Sequence, residues 1–272
     1  MINLNFKTEK NGISPSSHDE IYTLVQINSD EKREGKARSP LNIAIALDRS
    51  GSMRGMPLDE AKLCVEMMID RLSSEDHFSL VAYDNNVDVV VPATKASNKE
   101  WLKARLRSIR SGGMTALYDG WSSAAAEAAK NVTKKSISRV LLLSDGQANE
   151  GLTDQDEIAS HCAQMASVGV STTTYGLSEN FNENLMSAMA KSGKGMAHYG
   201  QTADDLADPF QSEFDLINAL TARDLKLHLI AEPGVEFEVM NKFQRQLDGS
   251  LVMSDLAEGG ELWALLKIKV SK

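Results

Sequence analysis

Asp48, Ser50 and Ser52 stand at alternate positions of the stretch LNIAIALDRSGSM, directly after a run in which six of seven residues are apolar. In an extended loop that spacing turns all three side chains to one side. Two more oxygen-bearing groups follow glycine or apolar runs. Thr115 ends Gly112-Gly113-Met114-Thr115, and Asp145 follows RVLLL in Ser144-Asp145-Gly146. A set of two carboxylates and three hydroxyls, without His or Cys, suits a hard divalent cation: Mg²⁺ first, with Mn²⁺ or Ca²⁺ as alternatives, over Zn²⁺. Two carboxylates only balance a doubly charged ion. The ion would stay attractive to a further anion, such as an Asp or Glu carboxylate of a partner protein. Taken singly, an aspartate or serine at a strand end is also an ordinary turn former or helix cap. The surrounding elements must decide.

Those elements alternate. LNIAIAL reads as strand and PLDEAKLCVEMMIDRL as helix, with Leu58, Leu63, Met67 and Leu72 as its expected apolar stripe. HFSLVAY and VDVVVPA, joined by Asp84-Asn85-Asn86, predict an antiparallel hairpin. NKEWLKARLRSIR and ALYDGWSSAAAEAAKNV are helical, RVLLLSDG is a strand, and TDQDEIASHCAQMASVG is a helix with Thr153 expected as its cap. VSTTTYG, NENLMSAMAKSG and MAHYG continue the alternation, and TADDLADPFQSEFDLINAL closes it, with Thr202 and Asp205 in capping-box register. Strand–helix alternation predicts an α/β fold with a doubly wound, mostly parallel sheet. In such sheets ligands bind at the carboxyl ends of the strands, where strand order reverses. The chain ends differ: YTLVQIN, LKLHLIA, VEFEVM and ELWALLKIKV are strand-like with little helix signal. The expected organisation is a domain over 38–220 inserted into a β-sandwich built from 1–37 and 221–272, with charged EKREGKARSP as an exposed connection.

Asp-x-Ser-x-Ser after a buried strand, Thr in Gly-Gly-x-Thr, and Asp after a later strand together resemble a von Willebrand factor A domain and its metal-ion-dependent adhesion site. The resemblance covers roughly residues 40–220. It implies a Rossmann-like fold in which Ser50 and Ser52 ligate the ion directly and Asp48 acts largely through water. It also implies that Thr115 and Asp145 exchange direct and water-mediated contact as ligand binds. In the family the last helix moves when the site changes state, which makes the stripe Leu206, Phe210, Phe214 and Ile217 a packing face with a possible switch role. The flanking strands resemble bacterial A-domain proteins related to calcium-activated chloride channel regulators and inter-alpha-trypsin-inhibitor heavy chains.

The bulk numbers narrow the function classes. A formal charge of −9 disfavours nucleic acid, because an acidic surface repels phosphate backbones. No stretch approaches the ~18 apolar residues of a membrane span. MINLNFKTEKNG lacks the apolar core of a secretory signal, so the expected location is cytoplasmic. Cys64 and Cys162 form no C-x-x-C pair and read as buried reduced thiols. Trp101, Trp121 and Trp263 read as core, and the five histidines show no ligand spacing. Arg49, inside the first loop, either draws in an acidic ligand or is structural. Neither a G-x-S-x-G elbow nor a phosphate-binding G-x-x-x-x-G-K-[ST] loop occurs. The leading expectation is a non-enzymatic, cation-dependent protein-binding module. A structural adaptor binding through other surfaces and a metal-dependent hydrolase are the alternatives.

Overall fold

The computed structural model describes residues 2–10, 20–30, 39–145, 148–177, 181–200, 202–222 and 225–270. Residues 31–38 of the expected connection EKREGKARSP, and His18, lie outside them. The chain divides into two compact units, one of residues 39–214 and one of residues 1–38 with 215–272.

The second of these begins with β1 (Ile2–Thr8) and β2 (Glu20–Ser29). The 39–214 unit carries β3 (Leu41–Asp48), α1 (Met56–Arg71), β4 (His77–Tyr83), β5 (Val87–Lys95), α2 (Lys99–Arg107), α3 (Leu117–Ala129) and β6 (Ile137–Ser144). It continues through α4 (Gln155–Ser167), β7 (Val170–Leu177), α5 (Glu183–Ser192) and β8 (Ala197–Gly200) into α6 (Ala203–Ala219). Its six-stranded sheet has the order β5-β4-β3-β6-β7-β8. All neighbours are parallel except the β4–β5 hairpin. Strand order therefore reverses between β3 and β6, which lie side by side.

Burial on both faces explains why β3 reads as an unbroken apolar run: every residue from Leu41 to Asp48 is buried. Ala44, Ala46, Val81, Tyr83, Val140 and Leu142 meet α3, α4 and α5 on one face. Alanines on the central strand let the Ala-rich α3 approach closely. The stripe expected on α1 needs correction. Leu58 and Leu72 are buried, but Leu63 and Met67 are exposed, and the buried face is Leu58, Ala61, Cys64, Val65, Met68 and Ile69. Spacings of three and four define one helix face; the steps of five that link Leu58 to Leu63 and Met67 to Leu72 do not. The α4 cap is Asp154, whose carboxylate accepts the Glu157 N–H at 2.9 Å, one residue after the expected Thr153. The Thr202–Asp205 capping box is present, with reciprocal bonds of 2.9 and 3.2 Å. Cys64 and Cys162 are buried and free, and burial pushes both thiols up to about 12, which leaves them protonated and unreactive.

The other unit is all antiparallel pairing. After β9 (Leu220–Ala222) come β10 (Lys226–Leu227), β11 (Val235–Val239), β12 (Gln244–Arg245), β13 (Leu251–Val252), β14 (Leu256–Ala257) and β15 (Glu261–Val270). The two chain ends meet in one sheet of order β1-β2-β15-β11, beside sheets of three strands, β10-β13-β12, and two, β14-β9. Val25, Ala264 and Leu266 form its small core with Leu227, Leu229 and Phe243 partly buried against them.

Candidate metal centre

The carboxyl ends of β3 and β6 deliver Asp48, Ser144 and Asp145 to the point where strand order reverses. Asp48 is fully buried, and both its oxygens are engaged. Oδ1 accepts the Ser50 N–H at 2.8 Å and Oδ2 accepts the Ser144 hydroxyl at 2.6 Å. Burial nevertheless prevails: it pushes the Asp48 carboxyl up to about 6, against the hydrogen bonds from Ser144 and Ser50, and neighbouring Asp145 adds its like charge. Two acids thus share one dry site, a cost that a cation would relieve.

Ser50 is buried, while Ser52 is exposed on the single 3-10 turn Gly51–Met53. Their hydroxyl oxygens lie 3.1 Å apart. Adjacent ligands of an octahedral Mg²⁺, with bonds of about 2.1 Å, stand about 3.0 Å apart, so the pair has the spacing of two neighbouring ligands. The Thr115 loop is tied to this turn by backbone bonds, Gly51 N–H to the Gly113 carbonyl at 2.9 Å and Gly112 N–H to the Arg49 carbonyl at 2.8 Å. Gly113 is required there. Its φ is +80°, and a Cβ would stand 2.2 Å from Asn85 Oδ1. Thr115 itself is buried, its N–H donating to Asn149 Oδ1 at 2.8 Å and its carbonyl accepting from the N–H groups of Asn149 and Glu150. The five residues singled out in the sequence therefore lie in three loops, two of them stitched together by main-chain bonds and the third joined through Ser144 and Asn149. Among the described residues no three His, Cys, Asp or Glu side chains gather to hold a metal, so a cation at these loops would depend on the hydroxyls. Hard oxygen donors and two acids fit Mg²⁺.

Other candidates resolve differently. Arg49 is engaged by Asp84 at 3.0 Å and Asp88 at 2.6 Å, so it clamps the first loop to the β4–β5 hairpin. Trp121 is core, but Trp101 and Trp263 are about half exposed, which overturns the expectation for both. Each of the two lies on a side of its element that the packing leaves partly open to solvent. On α6, Leu206 and Phe214 are buried, whereas the side chains of Phe210 and Ile217 lie outside those described. Sequence reasoning missed Ser144 as a partner of Asp48. No local sequence signal pairs them; the register of β3 with β6 does, where Leu47 opposes Leu143 and the next residues are Asp48 and Ser144.

Comparison with known proteins agrees with this architecture. The family model for the von Willebrand factor type A domain matches residues 42–212. The uncharacterized protein YfbK of Escherichia coli is 27% identical over 93% of this chain and 45% of its own length. Inter-alpha-trypsin inhibitor heavy chain H3 of Mesocricetus auratus is 28% identical over 58% of this chain and 19% of its own. The chain spans about half the length of the first curated relatives it matches, 50% and 45%. A solved von Willebrand factor type A protein from Catenulispora acidiphila superposes with a TM-score of 0.70 at 17% identity, covering 98% of this chain and 65% of the other. At that identity the likeness shows the fold alone.

Proposed function

Because the chain belongs to the von Willebrand factor type A family, whose domains commonly serve as protein-interaction modules, we propose that it is a divalent-cation-dependent, non-enzymatic protein-binding module. In this reading Ser50, Ser52 and Thr115 hold Mg²⁺ through neutral hydroxyls, and Asp48 and Asp145 supply the balancing charge. The ion would contribute positive charge that an Asp or Glu carboxylate of the partner can meet. Ser144 and the Ser50 N–H fix the Asp48 carboxylate in place. The observation that carries the proposal is the 3.1 Å pair of hydroxyls on the loop that follows Asp48, one of two buried acids at this edge of the sheet.

Two measurements test it. Mg²⁺ should raise the thermal stability of the wild type in a concentration-dependent way, by about 2.7 kcal/mol at a hundred times its Kd, and should leave Asp145→Ala unmoved. A partner captured by the immobilised protein should be retained with Mg²⁺ and lost both with EDTA and with Asp145→Ala. Retention under all three conditions would replace this mechanism with an adaptor that binds through other surfaces. Turnover of phosphate or ester substrates that disappears in Asp48→Ala would establish a hydrolase instead.

A further inference from the structure

Tyr83 closes β4 directly beside Asp48, its partner in the parallel ladder. Ser144 holds Asp48 from the other side at 2.6 Å. Ser144, Asp48 and Tyr83 thus form one row across β6, β3 and β4. The Tyr83 ring is fully buried in the core under α3. A Cβ at Gly120 would come within 2.2 Å of the ring, so α3 rests directly on it and the side chain has little freedom to turn. At its tip the hydroxyl is buried and, among the described residues, without a hydrogen-bond partner. Asp48 and Asp145 act on it electrostatically, and the Ser144 hydroxyl, which donates to Asp48, lies close by without meeting hydrogen-bond geometry. An unpaired buried hydroxyl costs about 1–3 kcal/mol, and folded proteins seldom retain one without a use. Packing does not require it, because phenylalanine would fill the same ring space.

We propose that Tyr83 is a positioning residue of the cation site, its hydroxyl donating to an oxygen that the loaded site brings within reach, from the Asp145 carboxylate or from water on the ion. The proposal rests on the reading of the three loops as a cation site. A phenol is well matched to this role, since it is neutral at working pH and can donate toward crowded carboxylates without adding charge. The buried hydroxyl carries a desolvation cost, which a bond gained with the ion in place would offset.

Tyr83→Phe separates the two states. Wild type, Tyr83→Phe and Asp145→Ala are each melted in EDTA and in saturating Mg²⁺, and each is titrated with Mg²⁺ by calorimetry. Tyr83→Phe should melt in EDTA at or above the wild-type temperature and bind Mg²⁺ about five- to tenfold more weakly, the worth of one hydrogen bond. Equal Mg²⁺ affinity in wild type and Tyr83→Phe, with binding lost in Asp145→Ala, would overturn the role of Tyr83 and leave the cation site standing. An equal fall in melting temperature with and without Mg²⁺ would mark a packing role and overturn it too. A wild type that takes up no Mg²⁺ would overturn both readings.

Discussion

The Ser144 hydroxyl donates to Asp48 Oδ2 at 2.6 Å, bridging two parallel strands at the point where the sheet reverses its order. Both residues are fully buried. The bond therefore joins the first and third loops of the site below its surface and holds the more buried of the two acids in a fixed direction. A hydrogen bond to a charged group is worth about 1.5–3 kcal/mol, more than an exposed ion pair such as Lys95–Glu75 supplies.

Replacing Ser144 should accordingly be felt in stability before any question of ligand arises. Ser144→Ala leaves one oxygen of a buried carboxylate without its partner. Unfolding in urea at neutral pH with EDTA present should show a loss of about 1.5–3 kcal/mol. A change under about 0.5 kcal/mol, the range of neutral surface substitutions, would mean that the bond contributes nothing net.

The two glycines of the second loop should respond in opposite ways. Gly113→Ala forces a side chain into φ +80° and against Asn85 and Asp84, and should cost about 2 kcal/mol or more. It should also weaken Mg²⁺ uptake, because the Gly113 carbonyl holds the Gly51 N–H of the serine turn. At Gly112 a Cβ meets nothing within 4 Å, so Gly112→Ala should stay within about 0.5 kcal/mol of wild type. Parallel denaturation curves for the pair would contradict this account of the loop.

His198 makes stability depend on acid. It pairs with Tyr175 across β7–β8, the rings stacked at 5.0 Å. Burial first, and then the positive charge of Arg139, holds its imidazole below the ordinary value of 6.5. The unfolded chain therefore takes up the proton more readily than the folded one. Stability is complete above about 6.5 and is lost as pH falls below that value toward the lower folded one. Urea unfolding at several pH values should show a shallower acid slope for His198→Gln than for wild type. Superimposable slopes would remove His198 from the acid response.

Much of the fold was legible because local rules and global packing agree along this chain. Apolar runs of seven or eight residues become strands covered on both faces, and Asn98 and Asn182 cap their helices through their side chains. The errors arose where orientation mattered more than type. Leu63 and Met67 are as apolar as Leu58, but they sit on the solvent side of α1. Trp101 and Trp263 are large and apolar, but lie on partly uncovered faces. Arg49 had two open readings until Asp84 and Asp88, on the neighbouring hairpin, were seen to engage it.

The succession of strands and helices and the chemical kinds of oxygen at the three loop ends can be read from the chain alone, because period, apolar content and residue type are properties of short stretches. Which of those stretches become neighbours follows from the folded sheet. Ninety-six positions separate Ser144 from Asp48, and thirty-five separate Tyr83 from it. No local pattern links residues so far apart. The order and register of the sheet do, by placing β6 and β4 on either side of β3, and with them the partner and the unpaired hydroxyl that flank the buried acid.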